Sequence, residues 1–484
     1  MALAADSAAQ ARSKGIVLTP HGLALRLAEA TLPLQSNRTL NVMDPTCGSG
    51  RLLAAAAAVA NARGLKVHLH GIELEPALAE VAAGALPQAR IRTGDALNLL
   101  RDDEQFDIVL LNPPYRGRLR RADTLTATRA DALKARFGAL LGPYADPSTG
   151  FLLLAESLLH AGGRLGAIVP VSIASARDAH AARQHLAARC RTLESWSEPA
   201  PFEAQVHTAS LILEQRHTRC ENATNDWATR LATAAGVPHL TTPDTATIGD
   251  VATVTADFRD EFYALREHLV ECDDDPNAVP VLTCGLIDPG RHLHGRRIAR
   301  LHGQRWNTPG VLPHADIQHL LDARLVPKVL VATQTGVIEA APDPRGTCMP
   351  CTPLVRIVPT DLADVWRITA SLCAPQTTAL ALHRHFGAGR APNTLRLRAA
   401  DIAALPLLPE RNTTQQAMDA IHGLQDESVT LATVLRLAAA AFGDMPDGLL
   451  DWWWSRAPRA LRRENETPRV RQRTRGSDVS PLRS

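Results

Sequence analysis

Lysine is nearly missing from this 484-residue chain, occurring only as Lys14, Lys66, Lys134 and Lys328, so arginine carries almost all the positive charge. The scarcity excludes one chemistry directly. The common nuclease core needs a carboxylate two positions before a lysine, and those positions hold Arg12, Gly64, Ala132 and Val326. A Gly-Lys-Ser or Gly-Lys-Thr phosphate loop is absent too, so ATP-driven translocation of that type is not encoded. Cysteine is sparse and scattered, eight in all, which fits a reducing compartment and not a disulfide scaffold. The one close pair, Cys348 and Cys351, lacks a second pair to complete a tetrahedral zinc site, and no metal is expected. Long apolar runs are missing as well. Leu52–Ala60 falls far short of the ~20 residues that span a bilayer. Met1–Gly15 is alanine-rich without the basic-then-apolar layout of a signal peptide. A cytoplasmic protein with no membrane partner is the expectation.

Net charge of one sign is lacking too. Lys plus Arg number 52 against 50 Asp plus Glu, a formal +2, which argues against a wholly electrostatic nucleic-acid binder. The distribution is uneven. Residues 455–484 hold nine arginines against three acids, a net +6, which leaves the first 454 residues at −4.

Short apolar runs alternate with helical patterns through the first half. Strands are expected at Leu40–Met43, Val67–Ile72, Arg90–Thr93, Asp107–Leu111 and Arg164–Val169, with helices over Gly50–Arg63, Pro76–Gly84 and Phe151–His160. Such β-α-β alternation predicts a mostly parallel sheet covered on both faces. Two more strands follow at Arg191–Trp196 and Thr208–Glu214, and then a polar stretch, Arg216–Asp250, reads as a linker. Beyond it, short strands rich in Pro and Gly suggest a second, β-containing domain. A helical pattern resumes at Thr414–Phe442, before Trp452, Trp453 and Trp454.

Four segments carry chemistry, each at a strand end. Asp44-Pro45-Thr46-Cys47-Gly48-Ser49-Gly50 is a glycine-rich turn before a helix, where free backbone N–H groups meet a ligand. It also serves as plain punctuation in many folds. Glu73, some 25 residues further on, is placed to accept ribose hydroxyls, or to sit at a helix start for its dipole. Asp95, followed by Ala96, is placed to accept from an adenine amino group, or to cap a turn. The fourth segment is the most specific: an apolar strand ending in Asn112-Pro113-Pro114-Tyr115, with one of only three tyrosines. An amine conjugated to a purine is a poor nucleophile because its lone pair is delocalised. An Asn oxygen and a rigid backbone carbonyl can each accept one N–H, favouring the pyramidal amine, while an aromatic ring holds the base plane.

On these residues the sequence resembles the TaqI-like, γ-class N6-adenine-specific DNA methyltransferases, which use S-adenosylmethionine. Gly15-Ile16-Val17-Leu18-Thr19-Pro20 matches the family's upstream segment, and the motif order is the same. The resemblance implies an α/β, Rossmann-like class I methyltransferase domain over 1–225, with a mostly parallel seven-stranded sheet. It further implies a C-terminal α+β target-recognition domain, with a C-terminal helix, over 226–454. Residues 455–484, basic and beyond every matched motif, read as a disordered tail. It assigns Thr19, Pro20, Asp44, Pro45, Thr46, Cys47, Gly48, Gly50, Glu73, Asp95, Ala96 and Phe151 to the cofactor. Asn112, Pro113, Pro114 and Tyr115 become catalytic, and Tyr115 and Phe202 stack on a flipped base. Weaker likeness continues through Val279–Gly285, Pro327–Asp343 and Pro392–Pro409.

The implied partner is double-stranded DNA, with a separately encoded restriction endonuclease as a further one and a monomeric enzyme expected. Candidates for DNA-backbone contact are Arg116, Arg118, Arg120, Arg121, Arg296 and Arg297. They belong to two runs, 112–137 at a local +5 and the cluster Arg291, Arg296, Arg297, Arg300 and Arg305; a solvated face explains either run as well. Three rival readings stand: an amino-methyltransferase acting on RNA or a protein glutamine, a cytosine-N4 enzyme, and a DNA-binding protein with a vestigial cofactor fold.

Overall fold

The computed structural model describes residues 19–101, 103–114, 124–198, 207–241, 245–256, 263–389 and 394–466. The chain divides into two compact units. The first comprises the residues up to 242 together with 333–335 and 379–405; the second holds the remainder. The division thus falls later than 225, and two later segments return to the first unit.

In unit one, β1 (Leu40–Asp44), β2 (Val67–Glu73), β3 (Arg90–Thr93), β4 (Phe106–Leu111), β5 (Leu159–Pro170), β6 (Cys190–Glu198) and β7 (Thr208–Gln215) form one sheet. Its order is β3-β2-β1-β4-β5-β7-β6, with β1 to β5 parallel and β7 inserted antiparallel between β5 and β6. β4 is buried along its whole length, as a parallel strand covered on both faces must be. The helices His21–Thr31 and Arg51–Arg63 cover one face, packing Leu23, Leu27, Leu52, Leu53 and Val59 into a cluster with Ile108, Leu110 and Ile168. Register pairs Asp44 with Gly71 and Glu73 with Thr93, so the carboxyl ends of β1, β2 and β3 lie at one edge. Strand order reverses between β1 and β4, and the crevice outside the carboxyl ends at such a point is where open α/β sheets take their ligands.

The opposite edge is stapled. Asp107, 4% exposed at the start of β4, accepts from the Asn41 backbone N–H of β1 at 2.7 Å and from His160 of β5 at 2.6 Å, and pairs with Arg38. Burial opposes its charge, but these three donors prevail and hold the carboxyl below its usual range. Asp107→Ala leaves the Asn41 N–H and His160 without their acceptor, and an expected loss of ~3 kcal/mol follows for a broken buried pair. The sign with pH is set by the depressed pKa. This stabilisation is present above the unfolded value near 4 and is lost as pH falls below it. Urea midpoints of wild type and variant should therefore converge on acidification; a constant gap from pH 7 to pH 3 would count against the staple.

Two expectations change here. The helix before β5 ends at Ser157, and β5 begins at Leu159, running through Gly162 and Gly163. The polar stretch 216–250 contains the helix Trp227–Ala234, whose Trp227, Ala228, Leu231 and Ala232 are buried. Trp227 donates from its indole to Thr192 Oγ1 of β6 at 3.0 Å. Thr229 and Pro238 meet His383 of the returning segment, at 3.3 and 3.0 Å.

Unit two is α+β. One four-stranded antiparallel sheet runs Ala340–Asp343, Lys328–Ala332, Leu354–Pro359, Ala252–Ala256. A second, mixed sheet runs Met349–Pro350, Val279–Leu282, Pro309–Val311, Leu269–Glu271, its first pair parallel and the others antiparallel. Lys328 is wholly buried and donates to Asp343 at 2.6 Å, the partner that a buried amine requires. The expected Thr414–Phe442 helix is two helices, Asn412–Gln425 and Leu431–Phe442. Trp453 is 1% exposed and packs with Val337, Leu435, Ala457 and Leu461. Helices Leu449–Arg456 and Arg459–Glu466 carry structure past the expected start of a tail at 455. No helix among the described residues is long and apolar enough to cross a membrane.

Candidate active site

The site is built from four strand ends. After β1, the chain turns through Asp44–Gly50. Thr46 N–H donates to Asp44 Oδ1 at 3.0 Å, and Cys47 N–H to the Ile72 carbonyl of β2 at 2.9 Å. Gly50 closes the turn with φ +81°, and a Cβ there would press on Leu86 and Ala82 at 3.1 and 3.3 Å. Only glycine suits it. On the neighbouring strand a Cβ at Gly71 would meet Cys47 Sγ at 2.9 Å. The Cys47 thiol is buried, which pushes its pKa up, and its N–H is spent on β2. Cys47 therefore shapes the loop and is no nucleophile.

Glu73 ends β2 and ties the loop together. Oε2 accepts from Gly48 N–H at 2.7 Å and Oε1 from Glu75 N–H at 2.9 Å. Each carboxylate oxygen has a second acceptor direction, so the group can still receive a pair of vicinal hydroxyls. Asp95 follows β3 and caps the short helix Ala96–Leu99 by accepting from Leu97 N–H at 3.0 Å. Asp95 thus uses one oxygen as a helix cap, and Ala96 is buried.

Asp44 is 1% exposed, and its pKa is pushed up to about 7. Burial is the main cause, opposed by the Thr46 N–H and reinforced by the charge on Glu73. Beside it the buried Thr46 hydroxyl makes no hydrogen bond of ordinary geometry among the described residues. An under-satisfied hydroxyl next to a carboxylate poised at neutrality fits the polar, cationic end of an aminoacyl ligand. With the Glu73 carboxylate for a diol and the glycine turn for close approach, the donor set suits S-adenosylmethionine.

β4 delivers Asn112, half-buried, then buried Pro113 and exposed Pro114. Asn112 Nδ2 donates to Thr19 Oγ1 at 2.8 Å, which turns the amide so that its acceptor end, Oδ1, lies on the other side. Thr19 is 5% exposed, and its carbonyl accepts from Arg51 Nη1 at 2.9 Å. Pro20 caps the helix His21–Thr31. Two positions expected independently, Thr19 and Asn112, are thus joined, and Arg51 is a residue the sequence reasoning missed. Its only signal was its place directly after the glycine turn. Phe151 is buried in the helix Pro147–Ser157. Tyr115, Phe202, Arg116, Arg118, Arg120, Arg121 and the segment 15–18 lie outside the described residues.

The expected backbone arginines of unit two are not equivalent. Arg297 is engaged on both terminal guanidinium nitrogens by buried Asp288, at 2.8 and 2.9 Å, and also donates to the Gly285 carbonyl. A carboxylate this buried and bidentate holds the side chain in the domain, so Arg297 leaves the set of phosphate contacts. Nearby Glu339 is raised to about 8, by burial first and by the Asp288 charge second. Arg296 pairs with Glu427 at 2.8 Å on the surface. Among the described residues, His268, His314 and Asp316 form the one group with donors close enough for a single ion.

The family model for N-6 DNA methylases matches residues 2–190. Among solved structures, the type I restriction-modification system methyltransferase subunit of Streptococcus thermophilus is 22% identical, with 42% of this chain and 45% of that one covered, at TM-score 0.35. The type I restriction enzyme EcoKI M protein is 19% identical over 41% and 44%, at 0.30. The type IIG restriction endonuclease BpuSI is 13% identical over 93% and 67%, at 0.40. The chain thus spans less than half the length of the two type I proteins it matches.

Proposed function

The N-terminal region of this chain matches the N-6 DNA methylase family over residues 2–190, and from that premise we propose that the protein transfers a methyl group from S-adenosylmethionine to N6 of adenine in double-stranded DNA. The observation that carries the reading is Asn112 at the end of β4, its amide fixed by Thr19 at 2.8 Å, beside the Asp44–Gly50 turn. S-adenosylmethionine supplies the electrophilic methyl. Asn112 Oδ1 and the Pro113 carbonyl accept the two N–H groups of the target amine and aim its lone pair in line with that methyl; positioning does most of the work. The amine sheds its proton after alkylation, so no base is needed at the start. Tyr115 and Phe202 hold a base extruded from the duplex, since N6 is out of reach inside the stack.

Within this reading Thr46 and Asp44 hold the methionine end of the cofactor and Glu73 its ribose; Asp95 and Phe151 flank its adenine. A separately encoded restriction endonuclease as partner and a cytoplasmic setting belong to the same proposal. One radiolabel assay tests the reading against its rivals. Label from S-adenosylmethionine should enter duplex DNA as N6-methyladenine, and not ribosomal RNA or a glutamine-bearing release factor. Label in RNA or protein alone would overturn it, and N4-methylcytosine would move the target base.

A further inference from the structure

The segment after Gly295 contains a hairpin whose charge arrangement the fold leaves uncompensated. Strands Ala299–Leu301 and Gln304–Trp306 pair antiparallel, with Ala299 opposite Trp306, Arg300 opposite Arg305 and Leu301 opposite Gln304. The connection is two residues long, His302 at φ +48° and Gly303 at φ +80°. Positive φ at both central positions is the turn whose twist matches antiparallel strands, so register is set locally. Side chains alternate. Ala299 and Leu301 are 1% and 3% exposed and, with partly buried Trp306, anchor the hairpin in the core of unit two. Arg300 and Arg305 share the other face, and both are exposed.

Directly opposite residues stand about 4.5–5.5 Å apart at Cβ, and like charges there are destabilising. Neither guanidinium has an ion pair or hydrogen bond among the described residues, although Arg296 and Arg297, a few positions earlier, each have an acid. In so arginine-rich a chain one solvated arginine is unremarkable; two facing each other unpaired on a pinned register are a site for a divalent or repeating anion. Exposed Ile298 precedes the hairpin, and exposed Tyr263 has its ring 6.3 Å from that of His302.

We propose that this hairpin is a duplex-DNA contact in which Arg300 and Arg305 bind backbone phosphates. The inference rests on the DNA reading above. A two-stranded ribbon fits the major groove, whose walls are the closely spaced phosphates that two adjacent guanidinium groups match. Binding relieves the repulsion that the free hairpin carries.

The test uses the full-length protein and a non-specific duplex, with affinity measured at several salt concentrations. Arg300→Gln and Arg305→Gln should each flatten the dependence of log Kd on log salt by ~0.9, and together weaken binding at 0.15 M salt on the order of 30-fold. Arg300→Lys and Arg305→Lys should keep most of the slope, because a phosphate needs charge and not a planar fork. The affinity for S-adenosylmethionine should stay unchanged, and the melting temperature should not fall. An unchanged slope in the double Gln variant, with wild type binding normally, overturns the hairpin assignment alone. Wild type that binds no duplex overturns the DNA reading and the hairpin with it. Lysine variants that lose binding or relax the target sequence overturn phosphate contact in favour of base-edge reading.

Discussion

Asn112→Ala is expected to lower the turnover number by about a thousandfold or more while leaving the affinity for S-adenosylmethionine within about twofold. Removing one preorganised hydrogen-bonding group that acts on the reacting centre costs ~10²–10³ in rate, and here the same group also sets the geometry of the amine. The structure separates the two quantities. Asn112 directly follows β4, whereas the loop and carboxylates suited to the cofactor lie at the ends of β1 and β2. Thr19→Val supplies the graded control. It removes the acceptor of the Asn112 Nδ2 hydrogen bond without touching Oδ1, so the amide can rotate and the rate should fall on the order of tenfold. Thr19→Ser keeps the oxygen and should restore most of the loss. Single-turnover methylation of a target duplex, with cofactor affinity by calorimetry on the same preparations, reads both effects. An Asn112→Ala enzyme within tenfold of wild type would remove Asn112 from the reaction.

Much of this arrangement was legible because parallel strands write themselves as apolar runs, and each run here ends in the residue that matters. Asp44, Glu73 and Asn112 could be placed at strand ends before any coordinates. Pairings across the chain were not legible. Thr19 and Asn112 are 93 positions apart, and nothing in either segment names the other. Charge counts failed for the same reason. Arg297 meets an acid nine residues away, but Arg296 meets Glu427, 131 residues distant, and a local tally sees neither geometry. The helix Trp227–Ala234 was hidden by its polar surroundings, although Trp227, Ala228, Leu231 and Ala232 have the spacing of one buried face. The return of 379–405 to the first unit depends on long-range packing around His383, which no local pattern encodes.

Cofactor binding should gain strength with pH until Asp44 is ionised. In the free protein Asp44 titrates near 7 because burial disfavours its charge, with Glu73 adding to the effect. A cationic amino group seated there would favour the carboxylate, so binding to the protonated enzyme must first expel a proton. Below pH 7 the dissociation constant should then rise about tenfold per unit, approaching a hundredfold weaker at pH 5, and level off above pH 8. Calorimetry in buffers of different ionisation enthalpy at pH 6 should detect close to one proton released per cofactor bound. Asp44→Asn should abolish both the slope and the proton release, and bind weakly at every pH. The stability of the ligand-free protein carries the opposite sign. A carboxyl raised from 3.8 to about 7 favours the folded state least where it is charged, so Asp44 costs the apoprotein stability as pH rises from 4 to 7. Asp44→Asn should therefore stabilise the apoprotein at pH 8 relative to pH 4 while it cripples binding. A variant that weakens both would make Asp44 a structural residue of the loop, and the cationic end of the cofactor would need another partner.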